Sequence, residues 1–427
     1  MTPASEAVWS RPAYRRWFLF MLTVTYALNF LDRQLLSILA QPIKEELQLD
    51  DTSLGMLGGI YFALFYATLG VPIARLSDRT NRVRLIAGAI ALWSVATATC
   101  GLAQRFWHLA LSRVAVAIGE SAATPPSYSL IADLYPRATR SGAIGVFTTG
   151  TAVGAALGLA LGGWVGREFG WRAAFFLIGL PGVLISAAIL LSLKEPPRGF
   201  ADGKPDVAEP VGLIEVLRVL LRSRSFPGIA LGIGTASISG YALGFWMPSF
   251  MIRSFELDMA QVGWQIALAG GLGGILGGAT GGWICDRLAL RDRRWWLWAP
   301  AIAFFVNIPV VFALFNSGSP VLALALFAVV QFNYHFWGGA GHGMVQSLVG
   351  QRMRAVAAAA FLLVINLVGL GLGPMVVGMI SDLMSQAYGP EALRYALMAT
   401  APVFLVAGLL LLMGATTLRR DLDNAPA

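Results

Sequence analysis

The sequence predicts an all-α membrane protein with twelve transmembrane helices arranged in two six-helix bundles. Of its 427 residues, 57% are hydrophobic and only 13% are charged, whereas a soluble domain is about 25% charged. The apolar residues form runs of about 20, the length that an α-helix needs to cross a bilayer. Lys and Arg are concentrated in alternate short loops between these runs, the distribution that sets helix orientation in a membrane.

Twelve apolar runs are separated by polar or charged loops. The first is too long for the apolar region of a signal peptide, so we expect no cleavable leader. Pro125 and Pro126 lie inside the fourth run, and because proline lacks a backbone donor, we expect a kink or break there. The predicted spans are 17–40, 53–75, 83–103, 107–134, 140–165, 172–193, 226–251, 260–284, 295–315, 320–344, 355–381 and 393–417.

The longest polar segment, 194–225, lies between two sets of six predicted spans. It contains four prolines, and we interpret it as a linker between an N-terminal bundle (1–193) and a C-terminal bundle (226–427). Within it, Leu213–Leu221 is predicted to form a helix on the cytoplasmic surface.

The basic residues also predict the orientation of the chain. They are enriched at both termini, in the linker and in the loops that share their side, so we expect both termini in the cytoplasm. The net charge of +8 follows from this loop distribution and does not indicate a nucleic-acid partner.

Similar motifs recur in the two halves. Asp78-Arg79 follows the second span, and Asp286-Arg287 follows the eighth. Two such repeats predict two bundles around a cavity at the membrane midplane. Glycines at four-residue spacing on the fifth and eighth spans predict close helix packing; these are Gly154, Gly158 and Gly162, and Gly270, Gly274 and Gly278.

Four charged residues interrupt apolar spans and are the main functional candidates. Asp32 and Arg33 lie in the first span, and Arg113 and Glu120 lie in the fourth. An ionised group at the bilayer centre costs about 2.5–3.5 kcal/mol on insertion scales, and such groups commonly mark ion or substrate pathways. The alternative is a fixed buried ion pair that only orders the bundle.

The chain resembles the major facilitator superfamily over nearly its whole length. Ala74–Arg84 (ARLSDRTNRVR) is similar to the signature of the family's 2–3 loop, with Ala74 and Asn81 at positions where glycine is usual. Arg113–Gly119 (RVAVAIG) is similar to its fourth-helix signature. A narrower resemblance, to the spinster group, rests on Asn29–Arg33 (NFLDR) and on the Ile-Gly-Glu sequence that ends at Glu120.

The resemblance implies that the first and fourth helices line one cavity, and we assign roles on that basis. Glu120 is expected to carry the proton. Burial favours the neutral form of a carboxylate, whereas a nearby arginine favours the charged form, so a change in access can switch its protonation. Arg33, near Asn29, is expected to bind Glu120 or an anionic head group. Asp32 is a second protonatable group or a partner of Arg33, and Arg113 extends the anion site or holds the fourth helix.

The C-terminal half has fewer polar candidates, of which we select His335 and Tyr241 as substrate contacts. The resemblance also implies a cytoplasmic gate, with Arg140 as a partner of Asp78; the alternative is a set of solvated orientation charges. The predicted gate residues are Asp78, Arg79, Arg82, Arg140, Asp286 and Arg287.

The predicted function is proton-coupled secondary transport, by alternating access, of an amphipathic or organic anion similar to a lysophospholipid or sphingoid phosphate. The alternative is a small carboxylate carried with protons by the same fold. An enzyme is disfavoured by the lack of a Gly-x-Ser-x-Gly or nucleotide-binding motif, and a receptor would not need duplicated gate motifs. We expect no metal and no cofactor beyond the proton gradient, a monomer, and a bacterial plasma (inner) membrane location.

Overall fold

The computed structural model describes residues 8–202, 213–350 and 353–424, apart from the side chains of Val71, Ala74, Arg75, Asp78, Arg137, Leu213, Ile214 and Ala355. Throughout these ranges the chain forms helices joined by turns and short loops, without a β-strand. The predicted all-α class is confirmed.

Between Pro12 and Ser192 the described residues form eight α-helices. They are α1 (Pro12–Leu47), α2 (Asp51–Gly58), α3 (Ile60–Arg79), α4 (Arg82–Cys100), α5 (Phe106–Ser121), α6 (Thr124–Leu134), α7 (Arg137–Gly179) and α8 (Pro181–Ser192). The backbone of α7 is interrupted at Gly170, whose φ of +82° is readily adopted only by glycine.

Between Leu213 and Asp423 the described residues form ten α-helices. They are α9 (Leu213–Arg222), α10 (Ser225–Phe255), α11 (Met259–Ala289), α12 (Trp295–Phe315), α13 (Pro320–His335), α14 (Gly338–Ser347), α15 (Arg354–Val364), α16 (Gly371–Tyr388), α17 (Ala392–Met398) and α18 (Ala401–Asp423). A π-helical turn, Ile365–Leu370, joins α15 to α16. The helix predicted within the linker is confirmed as α9.

Eight helical stretches among the described residues are long and apolar enough to cross a bilayer. Two of them, Ala138–Ser192 and Val356–Asp423, contain 55 and 68 residues and each covers two predicted spans. The eight stretches therefore account for ten of the twelve predicted spans. The other two are the first and fourth, which carry the charged candidates.

The fourth predicted span is divided where its prolines begin. Helix α5 ends at Ser121, and α6 begins at Thr124 with Pro125 and Pro126 in its first turn. Proline is tolerated there because the first backbone N–H groups of a helix have no intrahelical partner. The predicted break is confirmed, and it lies directly after Glu120.

The helices pack as two compact units that do not follow the sequence halves everywhere. Unit 1 contains Met1–Leu47, Leu64–Ala208 and Met259–Trp264; unit 2 contains Gln48–Ala63, Glu209–Asp258 and Gln265–Ala427. Each half of the sequence therefore contributes one short segment to the unit formed mainly by the other half.

Glycines allow both of these segments to pack closely. In unit 1, a Cβ added to Gly263 would lie 2.2 Å from the carbonyl oxygen of Leu159. In unit 2, a Cβ on Gly55 would lie 2.4 Å from the carbonyl oxygen of Pro374. Only glycine permits helix backbones to approach this closely.

A buried ion pair strengthens unit 2 at the start of α2. Asp51 is 2% exposed, and both of its carboxylate oxygens accept hydrogen bonds from Arg253, at 2.8 Å each. The Ser381 hydroxyl donates to the same carboxylate at 2.6 Å. Because bidentate arginine–carboxylate pairs have a fixed geometry, this cluster orients α2 against α10 and α16.

The glycine stripe of the fifth span packs against α1 in unit 1. A Cβ on Gly154 would lie 2.0 Å from the carbonyl oxygen of Ala27, and one on Gly158 would lie 2.6 Å from that of Leu31. Both helices advance by four residues between these contacts, so the stripe follows one face of each. The prediction of close packing is confirmed for this span.

On the eighth span the prediction holds for Gly270 and Gly274, where an added Cβ would lie 3.0 Å from Cε1 of Phe327 and 3.3 Å from Cε1 of His335, and it is wrong for Gly278. A Cβ added to Gly278 would meet no heavy atom within 4 Å, whereas a Cβ on Gly277 would lie 2.1 Å from the carbonyl oxygen of Phe332. Gly273 and Gly281 make equivalent contacts with α13 and the residue after it, Phe336. Two glycine stripes therefore run along α11: Gly270 and Gly274 of the predicted stripe contact side chains of α13, whereas the other stripe approaches its backbone.

We expect Gly154→Ala to lower the thermal unfolding midpoint, because the added Cβ forces α1 and α7 apart. Overpacking of this kind costs about 1–3 kcal/mol. The matched control is Gly145→Ala on the same helix, where an added Cβ meets nothing within 4 Å. Fluorescence-monitored unfolding in detergent measures both midpoints, and equal midpoints would contradict the packing argument.

Asp292, in the loop between α11 and α12, is held by two arginines. It accepts hydrogen bonds from Nη2 of Arg294 at 2.8 Å and from Nε of Arg419 at 3.0 Å. These hydrogen bonds to its charged form, chiefly those from Arg294, hold the pKa of Asp292 well below its usual range. The contacts attach the end of α18 to this loop.

The lowered pKa predicts a defined pH dependence for Asp292→Asn. A carboxylate with a lowered folded-state pKa stabilises the fold above its unfolded pKa of about 3.9, and this stability is lost as pH falls through the folded-state value. The variant should therefore unfold at a lower temperature than the native chain at neutral pH, with the difference narrowing only below about pH 4. The exposed Asp423, whose pair with Arg293 is 3.3 Å long, provides the control Asp423→Asn. A difference that widens on acidification would refute the assignment.

Candidate functional site

The ion pair at the centre of the candidate site joins α1 to α5 in unit 1. Nε of Arg33 donates a hydrogen bond to Oε2 of Glu120 at 2.8 Å. The Glu120 side chain is fully buried, and that of Arg33 is 16% exposed. The structure thus brings together the residues predicted to carry the proton and to bind the anion.

Two aromatic rings flank the Arg33 guanidinium. Its Cζ lies 4.9 Å from the ring centroid of Phe30 and 4.6 Å from that of Tyr66, within the range of cation–π attraction. Arg33 also donates a hydrogen bond to the Tyr66 hydroxyl. Tyr66, on α3, therefore orients the guanidinium through both its ring and its hydroxyl.

Sequence reasoning missed both aromatic residues. Phe30 is three residues before Arg33 on α1, and this spacing places them on one helix face. That signal was available from the sequence. Tyr66 gave no comparable signal, because its contact with Arg33 depends on where α3 packs.

Asp32 is adjacent to Arg33 in sequence but points to a different helix. It is 3% exposed, and its Oδ2 accepts a hydrogen bond from the Thr97 hydroxyl of α4 at 2.9 Å. Successive residues on a helix are about 100° apart, which explains the different direction. Asp32 is still close enough to Glu120 and Arg113 to interact with them electrostatically.

Arg113 is the fourth charged member of the site. It is 2% exposed and interacts electrostatically with both Asp32 and Glu120. Two buried carboxylates thus accompany two guanidiniums, and their formal charges cancel when all four are ionised. Such mutual compensation reduces the cost of burying charge, which is large for a single ion.

Asn29 and Glu120 also present polar atoms that no described residue binds. Asn29 is 1% exposed, and its Oδ1 and Nδ2 have no hydrogen-bond partner among the described residues; the same holds for Oε1 of Glu120. An unsatisfied buried polar atom costs about 1–3 kcal/mol. These atoms are therefore suited to bind a polar ligand or a proton.

The two predicted contacts of the C-terminal half lie in unit 2. The Tyr241 hydroxyl donates a hydrogen bond to Oδ1 of Asn366, in the π-helical turn, at 3.4 Å. Nδ1 of His335 lies 2.9 Å from the carbonyl oxygen of Gln331, and its ring is edge-on to that of Tyr334. His335 therefore has a structural partner on its own helix, and its predicted substrate contact stays a prediction.

Arg82, one of the predicted gate residues of unit 1, forms a buried cluster with the start of the linker. Arg82 is 1% exposed; it pairs with Asp133, and its Nε donates to Oε1 of Glu195 at 2.6 Å. The Asp133 carboxylate also accepts from the backbone N–H of Gly199 at 2.8 Å. Sequence reasoning selected Arg82 and missed Asp133 and Glu195, because these partners lie far away in the chain.

Arg140 has hydrogen-bond partners among the described residues. Its Nη2 donates to Oδ2 of Asp202 at 2.8 Å and to the carbonyl oxygen of Ala132 at 2.8 Å. The side chain of Asp78, its predicted partner, lies outside the described ones. Arg79 is exposed at the end of α3.

The equivalent residues of unit 2 contact tryptophans. Oδ1 of Asp286 accepts a hydrogen bond from the indole N–H of Trp296 at 3.2 Å, and the Arg287 guanidinium lies 5.6 Å from the Trp283 ring centroid. Their gate role stays a prediction. No group of His, Cys, Asp or Glu arranged to hold a metal ion occurs among the described residues.

The family follows from comparison with known proteins. A model of the Major Facilitator Superfamily matches residues 22–374. The chain belongs to the major facilitator superfamily. It is therefore a multi-pass membrane transporter and not an enzyme, as expected from the motifs.

Individual relatives show which members of the superfamily the chain resembles. An MFS-type efflux pump of Mycolicibacterium smegmatis is 34% identical over 94% of this chain and 93% of the relative. The sphingosine-1-phosphate transporter SPNS2 of Xenopus tropicalis is 26% identical over 95% of this chain and 82% of the relative.

A solved structure extends this likeness to the fold. The crystal structure of a bacterial homolog of the human lysosomal transporter spinster, inward-facing and unoccupied, is 30% identical, covers 96% of this chain and 99% of its own, and superposes with a TM-score of 0.88. The predicted resemblance to the spinster group is confirmed, as is the major facilitator fold.

We expect Tyr66→Phe to destabilise the protein, because it removes the hydroxyl that accepts from Arg33 and keeps the ring. Hydrogen bonds to charged groups contribute about 1.5–3 kcal/mol to stability, so the unfolding midpoint should fall measurably. Tyr388→Phe is the control, since Tyr388 is 46% exposed. Identical midpoints for both variants would show that the Tyr66 hydroxyl does not hold Arg33.

Proposed function

We propose that this superfamily member is a proton-coupled secondary transporter that moves an amphipathic or organic anion by alternating access. The observation that carries the proposal is the buried Arg33–Glu120 pair, with its 2.8 Å hydrogen bond, inside apolar helices. No cofactor is required, because the proton gradient supplies the energy.

The charge balance of the site supports a coupling between proton binding and anion binding. With Asp32, Arg33, Arg113 and Glu120 all ionised, the net charge is zero. A proton on Glu120 leaves a net charge of +1 and releases the Arg33 guanidinium. An anion then restores neutrality, so proton and anion binding favour each other at this site.

Energetics make the two partners of Arg33 mutually exclusive. Leaving one member of a buried ion pair unpaired costs about 3–5 kcal/mol. Arg33 is therefore stable with the Glu120 carboxylate or with a substrate anion, and unstable with neither. Its planar guanidinium suits either a carboxylate or a phosphate, which it can bind through two parallel hydrogen bonds.

Aromatic side chains beside Arg33 support an amphipathic substrate. Tyr26 and Phe30 are in edge contact at 5.3 Å, and Tyr26 stacks on Phe147 at 4.5 Å. Tyr128, 37% exposed, packs edge-on against Phe147 at 5.3 Å. A charged head group on Arg33 would thus have apolar ring surface available for its tail.

The relatives support the same class of substrate. SPNS2 is named as a transporter of sphingosine-1-phosphate, which combines an anionic head with an apolar tail, and the mycobacterial relative is named as an efflux pump. We therefore propose a lysophospholipid or sphingoid phosphate as the substrate. We further propose a monomer in a bacterial inner membrane, with both termini in the cytoplasm.

A small organic carboxylate carried with a proton is the second candidate. It is favoured by the recognition chemistry of Arg33, which binds the charged group and not the tail. The same four charged residues would serve this substrate.

The proposal is tested by flux of a labelled lysophospholipid or sphingoid phosphate in proteoliposomes, with and without an imposed pH gradient. We expect gradient-driven flux for the native chain and none for Glu120→Gln, because the amide keeps the shape and cannot exchange a proton. Glu168→Gln is the matched control: Glu168 is exposed, and its variant should behave as the native chain does.

Two outcomes would overturn parts of the proposal. Unchanged flux of Glu120→Gln at all pH values would remove Glu120 as the proton carrier. Flux of a small carboxylate without any lipid flux, from folded protein, would favour the second candidate.

A further inference from the structure

The linker helix α9 divides its residues between a buried apolar face and an exposed basic face. Val216 and Leu220, one helical turn apart, are fully buried, and α9 packs against α10 and α15 within unit 2. Arg218 and Arg222, also one turn apart, are exposed. Residues 216 and 218 are about 200° apart around the helix, so the arginines point away from the unit.

An apolar flank of α9 remains uncovered beside the arginines. Leu221 is 66% exposed, and Leu217, one turn before it, is partly exposed. These leucines lie between the buried face and the arginines on the helix circumference. A helix in water would gain nothing from this arrangement, whereas a helix lying in a bilayer interface inserts such residues among acyl chains.

The position of α9 in unit 2 places it where membrane-spanning helices emerge. It packs against α15, which begins at Arg354, and it ends just before α10 begins at Ser225. The hydroxyl of Ser223 and the backbone N–H of Ser225 donate to Oδ2 of Asp421 at 3.0 and 2.7 Å. These two hydrogen bonds attach the junction between α9 and α10 to the end of α18.

The charges of this segment complement an anionic surface. Arg218, Arg222 and Arg224 are exposed, and none forms an ion pair with a described residue. Glu215 is the acidic residue of α9, and the nearby Asp421 is already engaged by its two serine contacts. Arginine can reach phosphate oxygens while its aliphatic stem rests on apolar surface.

We infer that α9 is an interfacial helix that binds the anionic head groups of the surrounding bilayer. Arg218 and Arg222 would contact lipid phosphates, and Leu221 would enter the acyl region. This binding site is separate from the four charged residues of unit 1 and does not depend on the proposed substrate. It would hold the linker against the membrane surface.

The inference is tested with the full chain in nanodiscs of phosphatidylcholine alone or mixed with phosphatidylglycerol. Binding to the folded state raises the unfolding midpoint, so the native chain should unfold at a higher temperature in the anionic discs. The double variant Arg218→Gln/Arg222→Gln should lose most of this increment, whereas Arg218→Lys/Arg222→Lys should keep most of it. Native mass spectrometry should show phosphatidylglycerol affinity falling about fivefold per arginine removed.

Two controls separate this site from general surface charge. Arg291, exposed in the loop after α11, carries the same type of charge, and Arg291→Gln should keep the increment. Free glycerol phosphate should leave the midpoint unchanged, because it offers the head group without a surface. An increment that survives in the double glutamine variant, or that is equally lost in Arg291→Gln, would overturn the inference.

Discussion

The arrangement of unit 1 depends on one contact, the ion pair of Arg33 with Glu120 inside apolar helices. Neither group is stable alone in such surroundings, because an unpaired buried charge costs several kcal/mol. The pair therefore requires that α1 and α5 remain adjacent, that the guanidinium be oriented by Tyr66 and Phe30, and that Asp32 and Arg113 balance the remaining charge. A transporter can use this requirement, since a proton or an anion can replace one partner.

The backbone around the pair also helps to position Arg33 and Glu120. Close packing of α1 on α7 through Gly154 and its neighbours fixes the face that α1 turns toward α5. The break after Ser121 ends α5 directly beyond Glu120, so the carboxylate lies at the end of a helix and not in its middle. Rigid packing on one side and an interrupted helix on the other thus meet at the charged site.

The clusters around Arg82 and Asp292 bind peripheral segments by charge. Arg82 connects α4 and α6 to the start of the linker through Asp133 and Glu195, and Asp292 connects a loop of unit 2 to the end of α18. In both cases a carboxylate that accepts several hydrogen bonds attaches a polar segment, the start of the linker or the loop of unit 2, to neighbouring helices. The linker helix α9 adds apolar burial to this, through Val216 and Leu220.

The sequence by itself determined the membrane class, the spans, the helix break and the identity of the charged residues, because hydropathy and proline chemistry act locally. The resemblance to the major facilitator superfamily also indicated that Glu120 and Arg33 share a site. Only the tertiary structure decided partners: Thr97 for Asp32, Tyr66 for Arg33, Asp133 and Glu195 for Arg82, and which glycines of α11 approach a neighbouring backbone. These choices depend on distances between helices remote in sequence, and the periodicity of a single helix contains no information about its neighbours.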